Sequence, residues 1–231
     1  MKARAKPAVV FFDVGGTLLN FNIEPSQLFS KILASHGVAA EPKSLYKTMR
    51  EVEATFPVPL GISAASEADY WRAYDGKILE RLGLSPTAPL LDEVSRRFKE
   101  ELTLDPFPET VEVLKAIADL GFPLGVISNA SHGILGDLER TKITRYFRHI
   151  VYSQAVGVAK PDPRIFNEAL RLFGIDGRGA WHIGDNPEAD VAGARAVGIH
   201  PVFVDRGGRH PEVKGDRLGD LRGVVPLLEG A

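Results

Sequence analysis

Close to the start of the sequence an apolar run stops on a carboxylate and a pair of glycines: Ala8-Val9-Val10-Phe11-Phe12-Asp13-Val14-Gly15-Gly16-Thr17-Leu18-Leu19. A continuous stretch of β-branched and aromatic residues, with no polar alternation, reads as a strand buried on both faces, which is the environment of a parallel sheet. The strand ends at Asp13, so the carboxylate lies at the C-terminal edge, where open α/β sheets bind their ligands. The glycines behind it let the backbone come close to an anion. Asp13 is therefore the candidate nucleophile. Alone, the same stretch also describes a core strand with a polar end and a glycine turn, and the residues downstream decide between the two.

From Asp105-Pro106-Phe107-Pro108 onward, helical and strand patterns alternate. Glu109 to Leu120 has helical periodicity and stops at Gly121, and Leu124 to Ile127 is a short strand ending at Ser128-Asn129. Ser131 to about Lys142 reads as helix and His149 to Ser153 as a weaker strand. Asp162 caps a helix with Pro163 in its first turn, an apolar face of Ile165, Phe166, Ala169, Leu170 and Phe173, and Gly174 as its stop. Ala180 to Ile183 forms a strand ending at Gly184-Asp185, Asn186 to Ala196 a helix, and Pro201 to Val204 a last strand ending at Asp205. Strands joined through helices of this length require right-handed crossovers and a parallel sheet. Between Thr17 and Pro123 no strand pattern is expected. Helices there begin at Glu24-Pro25, near Pro42, at Ser66-Glu67-Ala68-Asp69 and after Pro86, with a loop at Pro57-Val58-Pro59-Leu60-Gly61. The expected fold is α/β: a doubly wound, Rossmann-like parallel sheet over 1–19 and 105–231, with an all-helical domain inserted over 20–104. Trp71 and Tyr74 fit packing within that helical part.

The composition excludes several functions. Lys and Arg number 28 against 30 Asp and Glu, so no basic field gathers nucleic acid. There is no cysteine, which removes disulfides, thiol catalysis and cysteine-ligated metals. No segment has the apolar length of a membrane span, and the basic N-terminal residues are not followed by a signal-peptide pattern, so the expected location is cytoplasmic. A small molecule is the expected partner.

Asp13, Ser128, Lys160 and Asp185 all fall where strands end or the next helix begins, with Asp190 further along the last loop. In a parallel sheet these ends share one edge, so the groups converge. Two carboxylates suit a hard cation such as Mg²⁺, while a serine hydroxyl and a lysine suit phosphate oxygens. Each residue also has a plainer explanation: helix caps for Ser128 and Asp185, a solvated loop for Lys160, an exposed helix face for Asp190. Their joint occurrence at strand ends favours a site. His132, Trp181 and His182 fit structural roles.

The motifs Asp13-Val14-Gly15-Gly16-Thr17, Val126-Ile127-Ser128-Asn129, Lys160-Pro161-Asp162 and Gly184-Asp185-Asn186-Pro187-Glu188-Ala189-Asp190 together resemble, in order, the four motifs of the haloacid dehalogenase (HAD) superfamily. The resemblance covers essentially the whole chain, and the helical insertion is similar to that family's cap. It implies Asp13 as nucleophile and Mg²⁺ ligand, the Gly15 carbonyl and Asp185 as the other protein ligands, and Ser128 holding the phosphoryl group. It also implies Lys160 bridging that group to Asp13, with Asn129 and Asp190 in support.

One position departs from the family. Two residues after the nucleophile its phosphatases carry an aspartate that protonates the leaving oxygen and then activates water; here stands Gly15. General acid-base catalysis contributes about 10²–10⁴ in rate, so an alkyl phosphate should react slowly unless another group supplies the proton. The expected activity is a Mg²⁺-dependent phosphatase-type hydrolase acting on a small phosphorylated substrate. The alternatives are a phosphonate hydrolase using a lysine from the helical part (Lys31, Lys43, Lys47 or Lys77), a metal-free dehalogenase, or a phosphate-binding module with a disabled site.

Overall fold

Every residue of β1, Val9–Phe12, is buried, as a strand paired on both edges and covered on both faces must be. In the computed structural model, which describes residues 6–231, the elements follow as β2 (Leu19–Phe21), α1 (Pro25–Ser35), α2 (Pro42–Thr55), α3 (Ala64–Arg81), α4 (Ala88–Glu101), β3 (Leu104–Pro106), α5 (Thr110–Asp119) and β4 (Leu124–Ser128). Then come α6 (Ile134–Arg140), β5 (Phe147–Tyr152), α7 (Ser153–Val156), α8 (Pro163–Phe173), β6 (Ala180–Gly184), α9 (Gly193–Ala196), β7 (His200–Val204), β8 (Asp216–Leu218) and α10 (Val224–Glu229). The chain divides into two compact units, one formed by the segment ending at Asn20 with Asp105–Ala231, the other by Phe21–Leu104.

The larger unit is built on a six-stranded sheet in the order β5-β4-β1-β6-β7-β8, with parallel pairing throughout. The chain moves outward from β1 through β4 to β5 and then returns to the other side of β1 with β6. This reversal leaves β1 between β4 and β6, and a reversal of strand order is where such sheets open a crevice at their C-terminal edge. The registers Phe12↔Val126 and Phe12↔Ile183 bring the ends of the three strands level. Val9 and Phe11 face a buried cluster with Ile165, Phe166 and Ala169 of α8 and Ala194 of α9. Val10 and Phe12 alternate to the opposite face and are fully buried there.

The smaller unit consists of α1–α4 around a core that includes Leu28, Phe29, Ile32, Leu45, Tyr74, Ile78 and Val94. The Tyr70 hydroxyl donates to the Phe56 carbonyl and the Tyr74 hydroxyl to that of Met49, so both rings bury without stranding their polar ends. Tyr74 packs as its spacing implied, whereas Trp71 is 40 % exposed, edge-on to Tyr70 and Tyr74.

Several local expectations are corrected. β2 and β3 do lie between Thr17 and Pro123, and they pair in a separate two-stranded sheet; three residues each are too few to show a period. β7 is not the last strand, since β8 pairs beside it. The cap of α3 is Ser63, whose hydroxyl accepts from the Ser66 amide, so the helix begins before Ser66. Helix α6 is shorter than the expected Ser131–Lys142 span. The expected helix over Asn186–Ala196 opens as a π-helix at Pro187–Ala192 before α9. Among the described residues no helix is long and apolar enough to cross a membrane.

Candidate active site

Asp13 follows β1 directly, and its amide donates to the Ile183 carbonyl of β6. That bond holds the carboxylate at the junction of the two strands. Lys160 comes to it from the loop preceding α8. Its Nζ donates to Asp13 Oδ1 at 2.7 Å, to Asp190 Oδ1 at 2.6 Å and to the Ile127 carbonyl at 2.8 Å. An ammonium has three protons, so all are committed and the side chain, 2 % exposed, is locked. Burial opposes the charge on Lys160, but Asp13 and Asp190 outweigh it and hold the ammonium above its ordinary range.

The Lys160 backbone is held as firmly as its side chain. Asn129 Nδ2 donates to the Lys160 carbonyl at 2.9 Å, and the Lys160 amide donates to Asn129 Oδ1 at 2.7 Å. This reciprocal pair ties the end of β4 to the lysine loop. Beside it Ser128 closes β4, 3 % exposed, and its hydroxyl has no hydrogen-bond partner among the described residues. In the turn after Asp13 the Val14 and Gly15 amides likewise meet no acceptor among the described residues. The unpartnered Ser128 hydroxyl and the two unpartnered amides are donors of the kind that hold an oxyanion, and the Lys160 charge stands on Asp13 between the strand ends.

Asp185 stands just past β6, with a carboxylate oxygen within 4.8 Å of one of Asp13. Burial, and then the like charges of Asp13 and Asp190, push its carboxyl up to about 7. Burial also raises Asp13, with Lys160 opposing and Asp190 adding to the rise. Gly16 turns at φ +74, and a Cβ there would lie 2.2 Å from Asp185 Oδ2. At Gly184 a Cβ would lie 2.2 Å from the Asp190 carboxyl carbon. Both carboxylates thus lie in space that only glycine leaves open.

A family model for haloacid dehalogenase-like hydrolases matches residues 7–198 of the chain. The protein belongs to this family. This HAD hydrolase is 29 % identical over 214 residues to haloacid dehalogenase-like hydrolase domain-containing protein 3 of Homo sapiens, a match covering 88 % of the chain and 84 % of the relative. It is 38 % identical over 135 residues to a phosphoserine phosphatase of Thermus thermophilus, covering 55 % of the chain and 53 % of the relative. Among solved structures, the L-2-haloacid dehalogenase RSc1362 superposes with a TM-score of 0.76 at 21 % identity, covering 97 % of the chain and 100 % of that structure. At that identity the likeness is one of fold.

The HAD hydrolase has a donor set suited to a hard divalent cation. One oxygen each of Asp13, Asp185 and Asp190 lies within 4.8 Å of the others, and no sulfur or imidazole is among them. Asp190 is already engaged: Oδ1 accepts from Lys160 and from His182 Nε2, and Oδ2 accepts from the Asn186 amide at 2.9 Å. Burial works against its charge, yet Lys160 and His182 carry its carboxyl well below the usual range. Asp185 has only the Thr17 hydroxyl, at 3.5 Å, among the described residues. The free valences, and the repulsion a cation would relieve, therefore belong to Asp13 and Asp185.

His182 is the residue whose place the sequence did not reveal. It lies within β6, fully buried, with Nε2 2.9 Å from Asp190 Oδ1 and its ring edge-on to Phe166. Its Nδ1 has no partner among the described residues, and because a carboxylate oxygen accepts, Nε2 is the donor to Asp190. The only sequence signal was a histidine within an otherwise apolar strand.

Proposed function

We propose that this HAD hydrolase is a Mg²⁺-dependent phosphatase that acts on small phosphorylated molecules through an aspartyl-phosphate on Asp13. The observation that carries the proposal is Lys160, held by Asp190 and Asn129 with its ammonium on one oxygen of Asp13, while Asp185, with no cation against it and only the long Thr17 bond among the described residues, lies within 4.8 Å of that carboxylate. Asp13 and Asp185, with the Gly15 carbonyl, would hold the metal, which when bound supplies positive charge against the phosphoryl oxygens.

The protein's own groups do the rest. Lys160 occupies Oδ1 of Asp13, leaving Oδ2 as the attacking oxygen, and its charge remains beside the phosphoryl group as negative charge develops. The Ser128 hydroxyl and the Val14 and Gly15 amides donate to the phosphoryl oxygens. Asp190 keeps Lys160 charged and in place. Gly15 has no proton to offer the leaving group, which favours substrates whose leaving oxygen departs unassisted. A phosphonate hydrolase would need a desolvated lysine for its Schiff base, and Lys31, Lys43, Lys47 and Lys77 are all exposed. The Asp185 carboxylate, with no cation against it among the described residues, likewise argues against a metal-free dehalogenase.

The deciding experiment compares turnover of a panel of aryl, acyl and alkyl phosphates with Mg²⁺ against turnover of 2-haloacids in a chelator. Metal-dependent release of phosphate, lost in Asp13→Asn, is expected. Halide release without metal would replace the proposal with dehalogenation, and silence in both arms would leave a phosphate-binding module.

A further inference from the structure

The turn that follows Asp13 contains two adjacent glycines, and glycine has the most backbone freedom to lose on ordering. Its inner side is secured by the Val14 carbonyl, which accepts from the Thr17, Leu18 and Leu19 amides, and by the Gly16 amide donating to the Leu19 carbonyl. Its outward carbonyls are held from the opposite end of the sequence. Arg206, two residues past the end of β7, donates from Nε to the Gly16 carbonyl at 3.3 Å and from Nη2 to the Thr17 carbonyl at 2.9 Å.

Arg206 is itself fixed on two further sides. Its Nη1 donates to Glu109 Oε1 at 2.7 Å, and its guanidinium carbon lies 3.5 Å from the centroid of the Phe107 ring. Glu109 is buried, and the Leu221 amide also donates to its Oε1. A planar guanidinium stacked on a ring and bonded along three directions has little freedom left. The carbonyls it holds belong to the two residues that follow Gly15, whose own carbonyl would face the metal.

We propose that Arg206 is a positioning residue of the active site: it clamps the Gly16 and Thr17 carbonyls and so preorders the backbone of the nucleophile turn for Mg²⁺ and the phosphoryl group. The consequence for Mg²⁺ rests on the phosphatase reading; the ordering of the turn does not. Partners that orient metal-binding groups from behind typically contribute 10–100-fold in affinity or activity, and the effect expected here is about tenfold or more. The side chain is 22 % exposed, so removing it loses the clamp without emptying the core.

The test uses Arg206→Met, which keeps the stem and loses every donor, Arg206→Lys, which keeps the charge but not the fork, and Arg178→Met as a control at an 89 % exposed arginine. Hydrogen exchange at the bonded amides of residues 16–19 is measured in the metal-free proteins, and Mg²⁺ affinity by calorimetry without substrate. Exchange in this turn is expected to quicken about tenfold in Arg206→Met, with Mg²⁺ affinity about tenfold weaker, Arg206→Lys between it and the native protein, and the control unchanged. Native exchange in Arg206→Met overturns the proposal; should that variant not fold, native exchange in Arg206→Lys does so. If the native protein binds no Mg²⁺, the phosphatase reading fails and the exchange data still decide the clamp.

Discussion

Asp185 occupies the space in which a side chain on Gly16 would begin, with its Oδ2 2.2 Å from where that Cβ would lie. Gly16→Ala must therefore displace the carboxylate, and it also places a side chain at φ +74, which costs about 1 kcal/mol or more. The expected outcome is a lower melting temperature and a much reduced upward shift on adding saturating Mg²⁺, since the ion stabilises only the form that binds it. Thermal scans with and without the ion check both effects.

Gly15 is the opposite case: it is exposed, its φ is ordinary, and a Cβ there meets nothing within 4 Å. Gly15→Asp should fold normally and supply the absent acid and base. With a reactive aryl phosphate, the native protein should release a burst of alcohol close to one equivalent per site and then turn over slowly, because hydrolysis of the aspartyl-phosphate lacks a base. Gly15→Asp should abolish the burst and raise steady turnover by up to about 10²–10⁴. Rapid-quench trapping of labelled phosphate on Asp13 reads this directly, and an unchanged steady rate in a folded variant would count against the mechanism.

His182→Leu removes one donor from a buried carboxylate whose other partners are Lys160 and the Asn186 amide. A hydrogen bond to a charged group is worth about 1.5–3 kcal/mol. Loss of stability of that order is expected, with slower phosphorylation of Asp13 as Asp190 loosens its hold on Lys160. His182→Gln can place its amide where Nε2 lay, so it should recover part of both. Urea denaturation and single-turnover kinetics measure the two effects separately.

In the helical unit, burial pushes the Asp75 carboxyl up to about 7, with no cation or donor among the described residues to offset it. A carboxyl raised on folding is not penalised below its unfolded value near 4; the penalty grows as pH rises and is complete above about 7. Asp75→Asn should therefore change stability little at pH 4 and raise it at pH 8 by roughly 2–4 kcal/mol, because each tenfold weakening of a carboxyl's acidity on folding costs its charged form about 1.4 kcal/mol. Urea denaturation at the two pH values measures the difference, and an equal gain at both would mean that ionisation is not its source.

The apolar run before Asp13, the alternation of strand and helix after Asp105 and the glycines at strand ends were enough to determine a doubly wound sheet. They also indicated which polar residues meet, because parallel strands bring all their C-terminal ends to one edge whatever the details of packing. The approach of Lys160 and Asp185 to Asp13 was legible for that reason. Only the tertiary structure decided how they connect. Which oxygens take the three protons of Lys160, and that Asp190 is tied to Lys160 and His182 while Asp185 has no cation beside it among the described residues, depend on distances between groups on different elements, which periodicity does not encode. The strands β2, β3 and β8 are three residues each and exist through their partners rather than their pattern. Arg206 lies 190 positions from the carbonyl it holds. Such a residue belongs to no local motif, and folding alone brings it to the turn.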